Sequence, residues 1–357
     1  MAGKGVCMVI RPFEQKDLPA VVGLWNEAVE RGEVVYKKIN EEYYHKKFER
    51  DPNYDARYAF VAEEDGEVVG FIHGTAKKIM LDHETFETSP GFLTCMFVRF
   101  DKRRQGIGTA LLNRLMEEFK AAGKQTIRIA DSNPINIDWT VPGTPGHDHN
   151  NVPGVDLDCP GYAFLMKNGF DDMAHEIAMY LDLATYTPWA GLHERQEDLR
   201  RQGIYTGRYD AKNLDCDFDR MCDRGNFDYW RSSIRSEVNA WKQGKPNTDN
   251  RFIPNGKVPA APRPMLVAIH DNHIVGFTGP VDKQESGRGW FTGICTDPEF
   301  EHRGIASVLF NLLMQEFVAE GAKFSTLFTG ETNPAQNIYK RTGFEVRRRF
   351  AVMGKTL

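Results

Sequence analysis

An internal repeat constrains this chain more than any other feature of its sequence. The segments 103–108 and 301–306 are similar and stand 198 positions apart. At the same offset Gly123 matches Gly321, so a segment of equal length follows each short glycine loop before the next glycine. Self-similarity at a fixed spacing indicates a duplicated structural unit. The sequence therefore predicts two copies of one fold in tandem.

Landmarks on both sides of the loops extend the repeat. Upstream, Val69–Phe71 matches Val275–Phe277 at an offset of 206; downstream, Lys167–Phe170 matches Arg341–Phe344 at an offset of 174. The first copy thus has 8 more residues before its loop and 24 more after it. Landmarks that keep their order while the lengths between them change indicate duplication followed by divergence of loops.

Length and composition agree with two globular domains. A chain of 357 residues exceeds the usual size of one domain. Its 41% hydrophobic and 27% charged residues are typical of folded proteins. We expect an N-terminal domain over residues 1–184, a linker over 185–202 and a C-terminal domain over 203–357.

Apolar spacing predicts an α/β fold with the same succession of elements in both copies: a hairpin, a strand, the glycine loop, a helix and another strand. The strands before the loops are predicted over Gly91–Arg99 and Trp290–Thr296. The helices after the loops are predicted over Thr109–Ala122 and Ile305–Glu320.

The charge balance and the apolar runs limit the partners of the protein. A net charge of −5 argues against general nucleic-acid binding, which needs a basic face. The sequence has no apolar run of membrane-spanning length and no secretory signal pattern, so we expect a cytoplasmic protein without a membrane partner. Six scattered cysteines predict reduced, buried thiols.

The chemistry of the chain is expected at the two glycine loops. Each loop follows a strand and opens a helix, whose first amides are unpaired and carry partial positive charge. Such amides bind phosphate, and glycine lets a phosphate approach the backbone closely. Arg103 and Arg104 add formal positive charge in the first copy. The pattern predicts a diphosphate site at each loop.

Two other kinds of phosphate loop do not fit the sequence. A P-loop ends in Gly-Lys-Ser/Thr, and neither copy has that lysine. The dinucleotide fingerprint requires a third glycine, which is missing from Thr109–Leu111.

The first loop, Arg103-x-x-Gly106-x-Gly108, resembles the acyl-CoA signature of the GNAT superfamily of N-acetyltransferases. In the second copy Asn333–Phe344 is similar to a later motif of that superfamily. The resemblance implies two tandem GNAT-like domains, each a twisted mixed sheet flanked by helices, with acetyl-CoA as the acetyl-donor co-substrate. It implies that acetyl-CoA contacts Phe97, Val98, Arg103, Arg104, Gln105, Gly106, Ile107, Gly108 and Thr109 in the first copy, and Cys295, Thr296, His302, Arg303, Gly304, Ile305, Ala306, Ser307, Asn333 and Asn337 in the second.

The resemblance also implies direct attack of an amine on the acetyl carbonyl. Tyr339 stands where the superfamily commonly places the acid that protonates the leaving thiolate, whereas the first copy has Leu165 there. Tyr162, one turn earlier, is a possible substitute. Glu331, just past a predicted strand, is the candidate general base, and Asp131 occupies the matching place in the first copy. Loss of the amine proton to water is the alternative to a protein base.

The two copies differ in complementary ways. The second copy has Glu301 where the first has Arg103, and His302 with Arg303 restores part of the positive charge. We predict that the second copy is catalytic and that the first either binds acetyl-CoA or serves as a scaffold. We expect no metal site, because His147-x-His149 in the insertion 134–158 lacks further spaced ligands; that insertion is predicted to cover the acceptor instead.

Two functions remain open on the sequence alone. The first is N-acetyl transfer to a primary amine of a small molecule, and the second is non-catalytic binding or sensing of acyl-CoA. The sequence is compatible with either a monomer or a homodimer, because two fused copies can satisfy the pairing of a dimer within one chain.

Overall fold

A computed structural model of the chain describes residues 8–81, 84–135, 137–140, 149, 152–210, 212–249, 252–253 and 258–357. The first copy contains strands and helices in the order expected of an α/β domain. These are β1 Met8–Pro12, α1 Leu18–Glu30, α2 Glu41–Tyr44, β2 Ala59–Glu64, β3 Glu67–Ala76, β4 Gly91–Val98, α3 Ile107–Ala121, β5 Thr126–Ile129, β6 Val155–Asp156, α4 Pro160–Lys167 and β7 Asp171–Asp182.

The second copy repeats this plan, preceded by a helix in the segment expected to be a linker. Its elements are α5 Leu192–Arg201, β8 Tyr205–Arg208, α6 Asp219–Gly225, α7 Asp228–Gln243, β9 Leu266–His270, β10 His273–Gly279, β11 Asp282–Lys283, β12 Arg288–Trp290, β13 Gly293–Thr296, α8 Ile305–Ala319, β14 Phe324–Gly330, α9 Gln336–Thr342 and β15 Glu345–Thr356. In the described part of the chain, no helix combines the length and apolar character needed to cross a membrane.

The last strands of the two copies are exchanged. The large sheet has the order β1-β2-β3-β4-β5-β15-β7-β14-β12-β11, so β15 of the second copy lies between β5 and β7 of the first. Strand β7 in turn pairs antiparallel with β14 of the second copy, with Ser325 opposite Leu181. Backbone hydrogen bonds therefore join the two copies into one continuous sheet.

Each copy packs the helix that follows its glycine loop onto strands that carry glycine at the contact. A methyl group added at Gly91 would lie 2.7 Å from the ring of Phe119, and one added at Gly289 would lie 2.5 Å from the ring of Phe317. Both phenylalanines are completely buried. Because the glycines and the phenylalanines are each 198 positions apart, the repeat extends to the packing of the core.

The strand before the loop differs between the copies, and this difference creates an opening in the second. Strand β4 is continuous and pairs with β5 at Gly91 and Phe92 before the two strands diverge. The strand predicted over Trp290–Thr296 is instead divided: β12 pairs with β14, whereas β13 pairs with β10 in a separate four-stranded sheet. The two sheets separate there, between β13 and β14.

Candidate functional site

The two glycine loops have the same backbone geometry. Arg104 and His302 have φ values of 62° and 61°, and Gly106 and Gly304 both have a φ of 88°. Neither helix has a side chain that caps its N-terminus.

The amides that face the loops are those of the first helical turn. The first intrahelical hydrogen bonds run from Ala110 to Gly106 and from Val308 to Gly304. The amides of residues 107–109 and 305–307 therefore have no partner within their helices. These are the amides expected to bind the diphosphate, namely those of Ile107, Gly108, Thr109, Ile305, Ala306 and Ser307.

In the first copy, the side chain of Arg103 is bound by other groups of the protein. Arg103 makes two hydrogen bonds to the carboxylate of Glu33, at 2.9 and 2.6 Å, and its Nε donates to the Val98 carbonyl at 2.9 Å. This guanidinium is the main reason that the pKa of Glu33 is lowered. Arg103 therefore stabilises the loop itself and has few donors left for a ligand.

The gap beside β4 is also largely filled in the first copy. The cavity there measures about 30 Å³ and is lined by Tyr36, Leu93, Thr94 and Ile129, among others. The ring of Tyr36 packs 5.2 Å from Trp25 and 6.3 Å from Phe97. A space of this size holds about one water molecule and cannot accept a thioester.

The second copy has a large cleft at the corresponding position. Its volume is about 2350 Å³. It is lined by the loop from Glu301 to Ser307, by Ile294, Cys295 and Thr296 of β13, by the end of β14, and by residues 333–335 and 337–342. Residues of the first copy, including Tyr43, Lys46 and Arg50, form part of the facing wall. The predicted site residues of the second copy, apart from Glu331, are thus brought together in one cleft.

A cation from outside the repeat lies beside the second loop. Arg195, on α5, lines the cleft, and a methyl group added at Gly304 would lie 3.1 Å from its Cδ. Arg303 is positioned over the Phe300 ring, 4.9 Å from its centroid, and donates to the Glu299 carbonyl at 3.3 Å. Sequence reasoning missed Arg195 because it lies in the segment expected to be a linker, which has no counterpart in the repeat.

The amides of the strand before each loop alternate in direction. The amide of Asp297 donates to Val275, as the amide of Arg99 donates to Val69 in the first copy. In an antiparallel ladder the next residue faces the other way, so the amides of Thr296 and Val98 point away from the hairpin, whereas those of Cys295 and Phe97 are used in the ladder. Of the four strand residues expected to contact acetyl-CoA, only Thr296 and Val98 therefore have a backbone amide that can donate to a carbonyl group of the ligand. The Thr296 hydroxyl is buried and has no hydrogen-bond partner among the described residues.

Tyr339 lies in the wall of the cleft, on α9. Its side chain is buried and packs against Phe310, with ring centroids 4.9 Å apart. Burial raises its pKa to about 12, so the hydroxyl is protonated at neutral pH. In the first copy Leu165 is buried on α4, and the hydroxyl of Tyr162 donates to Asp172 at 2.8 Å.

The two predicted asparagines of the later motif differ in their surroundings. Asn333 supports the turn before α9: its Oδ1 accepts from the amide of Ala335 at 2.9 Å, and its Nδ2 donates to Thr329 at 3.1 Å. Asn337 is exposed in the wall of the cleft and is available to a ligand.

Glu331, the residue expected to act as general base, is engaged elsewhere. Its carboxylate is 3.1 Å from Nε of Arg349 and 3.2 Å from Nδ1 of His175, and it is not part of the cleft wall. Each carboxylate oxygen of Glu331 thus has one partner, Oε1 with Arg349 and Oε2 with His175. The role of Glu331 as general base stays a prediction.

Two acidic residues of the first copy lie in the cleft of the second. Asp131 lines the cleft, as does Glu176 on β7. Burial and the nearby charge of Asp131 raise the pKa of Glu176 to about 7. Sequence analysis missed Glu176 because only the strand exchange brings it to this cleft; its raised pKa has no signature in the sequence.

The insertion of the first copy also reaches the cleft. His149 lines it and stacks on Trp139, with ring centroids 5.1 Å apart, and lies 3.3 Å from the guanidinium of buried Arg288. His147 and Asp148, the other members of the His-x-His segment, lie outside the described residues.

Comparison with known families and structures agrees with this geometry. A family model described as the acetyltransferase (GNAT) family matches residues 23–139 and 228–344, more than half of the chain and once in each copy.

Solved structures show the same overall fold. A fungal protein described as a multi-domain GH3 β-N-acetylglucosaminidase with a GCN5-related glucosamine N-acetyltransferase region matches 98% of this chain with a TM-score of 0.67 and 15% identity. The match spans only 38% of that fungal protein. A GCN5-related N-acetyltransferase from Sphaerobacter thermophilus matches with a TM-score of 0.58 and 16% identity, over 98% of this chain and 95% of its own.

A tandem GNAT protein from the clavulanic acid biosynthesis pathway is also similar. Its TM-score is 0.55 at 14% identity, and the match covers 98% of both chains. At identities this low the similarity concerns the fold, including the tandem arrangement.

Proposed function

The chain belongs to the acetyltransferase (GNAT) family, and on that basis we propose that it is a cytoplasmic enzyme that transfers the acetyl group of acetyl-CoA to a primary amine of a small molecule. The transfer takes place in the second copy. The observation that carries this proposal is the single cleft of about 2350 Å³ that joins the amides of the second loop, the opening beside β13 and Tyr339.

The residues of the second loop fit the diphosphate of acetyl-CoA. Three amides of the first helical turn point at the same space, and Gly304 lets a phosphate approach the backbone. Arg195 supplies positive charge that offsets Glu301, together with Arg303. The thioester arm then extends from this loop into the opening between β13 and β14.

The reacting end of acetyl-CoA lies near Thr296 and Tyr339 in this proposal. The outward amide of Thr296 donates to the acetyl carbonyl and stabilises the negative charge that develops on its oxygen. The hydroxyl of Tyr339, protonated at neutral pH, donates its proton to the departing thiolate. Asn337 faces the same cleft and is assigned a contact with the cofactor arm.

The first copy acts mainly as a scaffold and as a wall of the acceptor site. Its loop residues Phe97, Val98 and Arg103 to Thr109 keep the geometry of a diphosphate site, but Arg103 is bound to Glu33 and the adjoining cavity measures about 30 Å³. This copy also has Leu165 at the position that corresponds to Tyr339, the proposed general acid of the second copy. We therefore assign one acetyl-CoA to each chain.

A thiol-release assay with acetyl-CoA and a panel of primary amines tests the proposal. The panel includes amino sugars, because the similar fungal protein has a glucosamine N-acetyltransferase region, together with polyamines and amino-acid derivatives. We expect amine-dependent release of thiol and formation of the acetylated amine by mass spectrometry. Binding of acetyl-CoA without turnover on any amine would instead indicate an acyl-CoA-binding or sensing protein.

Replacement of Tyr339 tests the role of the acid. Tyr339→Phe keeps the ring packed against Phe310 but removes the proton donor, so we expect kcat to fall by about 100-fold or more, with little change in the Kd for acetyl-CoA. Tyr162→Phe on α4 of the first copy is the matched control and should leave kcat near the wild-type value. A Tyr339→Phe enzyme with the wild-type kcat would remove Tyr339 from the mechanism.

A further inference from the structure

Strand exchange places a carboxylate of the first copy in the cleft that contains the proposed reaction centre of the second. Glu176 lies on β7, directly opposite Gly330 of β14 and Phe350 of β15. Side chains of directly opposed residues in a sheet project from the same face. Glu176 and Gly330 both line the cleft that contains Tyr339.

The space around the Glu176 carboxylate is open because its neighbour in the sheet is a glycine. A methyl group added at Gly330 would lie 3.9 Å from Oε1 of Glu176. The Glu176 carboxylate has no hydrogen-bond or ion-pair partner among the described residues, in contrast to Glu331 with its two partners. Its oxygens are therefore available to a group that enters the cleft.

Groups from both copies line the cleft together with this carboxylate. Asp131 of the first copy follows β5 and adds negative charge near Glu176. Across the cleft, desolvation raises the pKa of Tyr229, on α7 of the second copy, to about 12, and the charge of Asp131 adds to that shift. Tyr229 and Trp230 form an aromatic pair with ring centroids 5.2 Å apart. Carboxylates beside aromatic faces favour a bound ammonium group.

We propose that Glu176 is the general base of the second copy's active site, which is therefore built from both copies. The inference rests on the proposed acetyl transfer and assigns a residue that the repeat alone does not identify. Glu176 from the first copy then takes a proton from the acceptor amine, and Tyr339 from the second donates a proton to the departing thiolate.

The protons and electrons of the reaction balance with these two groups. The carboxylate of Glu176 takes one proton from the acceptor ammonium, and the free electron pair of nitrogen forms a bond to the acetyl carbon. The C–S bond breaks and its electrons go to sulfur, which takes the proton of Tyr339. The second proton lost by nitrogen restores Tyr339, and Glu176 releases its proton to solvent. The products are the acetylated amine, CoA and one proton.

Asp131 is the less suitable base of the two carboxylates. Desolvation raises the pKa of Asp131, but a hydrogen bond from the amide of Ser132 and the charge of Lys77 oppose this shift and favour its charged form. Its role in this arrangement is to stay charged and to oppose ionisation of Glu176. A base with a pKa near the working pH transfers protons most efficiently.

The pH dependence of Glu176→Gln tests the inference. For the wild-type enzyme we expect kcat to rise with pH through about 7, because the base must be deprotonated. Glu176→Gln should lower kcat by about 100-fold or more at pH 8 and remove this rise, since the amide cannot take a proton. Added formate should restore part of the rate of Glu176→Ala.

Three further variants separate catalysis from structure. Asp131→Asn removes a neighbouring negative charge, so the rise in kcat should move to lower pH. Asp171→Asn, an exposed position on the same strand, serves as the control and should keep the wild-type profile. Glu331→Gln tests the competing residue, and we expect it to keep the rise with pH.

The outcomes distinguish this inference from the proposed function. Calorimetry with acetyl-CoA confirms that each variant is folded and binds the donor. Wild-type turnover together with an unchanged rate and pH profile in Glu176→Gln overturns the inference alone, as does loss of the pH-dependent rise in Glu331→Gln. Absence of turnover in the wild type, with any amine of the panel, overturns the proposed function and this inference with it.

Discussion

Single residues decide which of the two copies carries the chemistry. The loops have nearly identical backbone angles, yet Arg103 of the first is bound to Glu33, whereas the second has Glu301 and takes Arg195 from α5. The acid position holds Tyr339 in one copy and Leu165 in the other. In the proposed function these differences make the second copy the catalytic one.

Arg195 provides a test of the phosphate site at this scale. Arg195→Ala removes a cation beside the second loop, and its side chain is 42% exposed, so solvent reduces the effect. We expect a loss of about 0.5–1.5 kcal/mol in binding, a 2- to 10-fold rise in the Kd for acetyl-CoA. The difference from wild type should shrink at high salt.

Arg200→Ala on the same helix is the matched control for Arg195. Arg200 is exposed, contacts Glu197 at 3.4 Å and is not part of the cleft wall. Calorimetry at two ionic strengths measures both variants. Equal Kd values for Arg195→Ala and wild type would show that the second loop binds the diphosphate without help from α5.

At the scale of elements, the sequence repeat predicts most of the fold. The helix predicted over Ile305–Glu320 is observed over Ile305–Ala319. The repeated glycines Gly304 and Gly321 lie just outside its two ends. Local spacing is sufficient here because a helix on a sheet needs a regular apolar face.

Two features at this scale depended on distant contacts and were not predicted. The strand expected over Trp290–Thr296 is divided because its first part pairs with β14 and its second with β10. The exchange of β7 and β15 leaves no mark in local spacing either, since a strand's alternation is the same whichever copy it joins. The contacts of Glu331 with Arg349 and His175 were not predicted for the same reason.

The packing of helix α8 on β12 makes a prediction of stability. A methyl group at Gly289 would lie 2.5 Å from Cγ of the completely buried Phe317. Gly289→Ala should therefore lower the free energy of unfolding by about 1–3 kcal/mol through overpacking. Gly207→Ala on β8 is the control, because an added methyl group there meets no atom within 4 Å.

The shift in denaturant midpoint, followed by circular dichroism, measures both glycine variants. We expect a lower midpoint for Gly289→Ala and a midpoint close to the wild type for Gly207→Ala. If both variants unfold at the same denaturant concentration, the contact between α8 and β12 is looser than the structure indicates.

At the scale of the whole molecule, strand exchange brings residues of both copies into one cleft, which we propose as the active site. The first copy supplies β7 with Glu176, and its residues Lys46 and Arg50 face the cleft of the second. The family and the tandem plan could be predicted from the sequence because they are encoded in repeated motifs. The composite site could not, since it depends on which strands of the two copies meet.

A matched pair of substitutions tests the central claim that the second loop alone serves catalysis. Ser307 and Thr109 are equivalent positions in the first turns of α8 and α3, where aspartate is compatible with a helix N-terminus. Either aspartate would repel a diphosphate bound at its own loop. Calorimetry and thiol release in the two variants therefore identify the loop that binds acetyl-CoA for the reaction. The account predicts that Ser307→Asp abolishes both binding and turnover while Thr109→Asp keeps both; loss of turnover in Thr109→Asp with full activity in Ser307→Asp would contradict it.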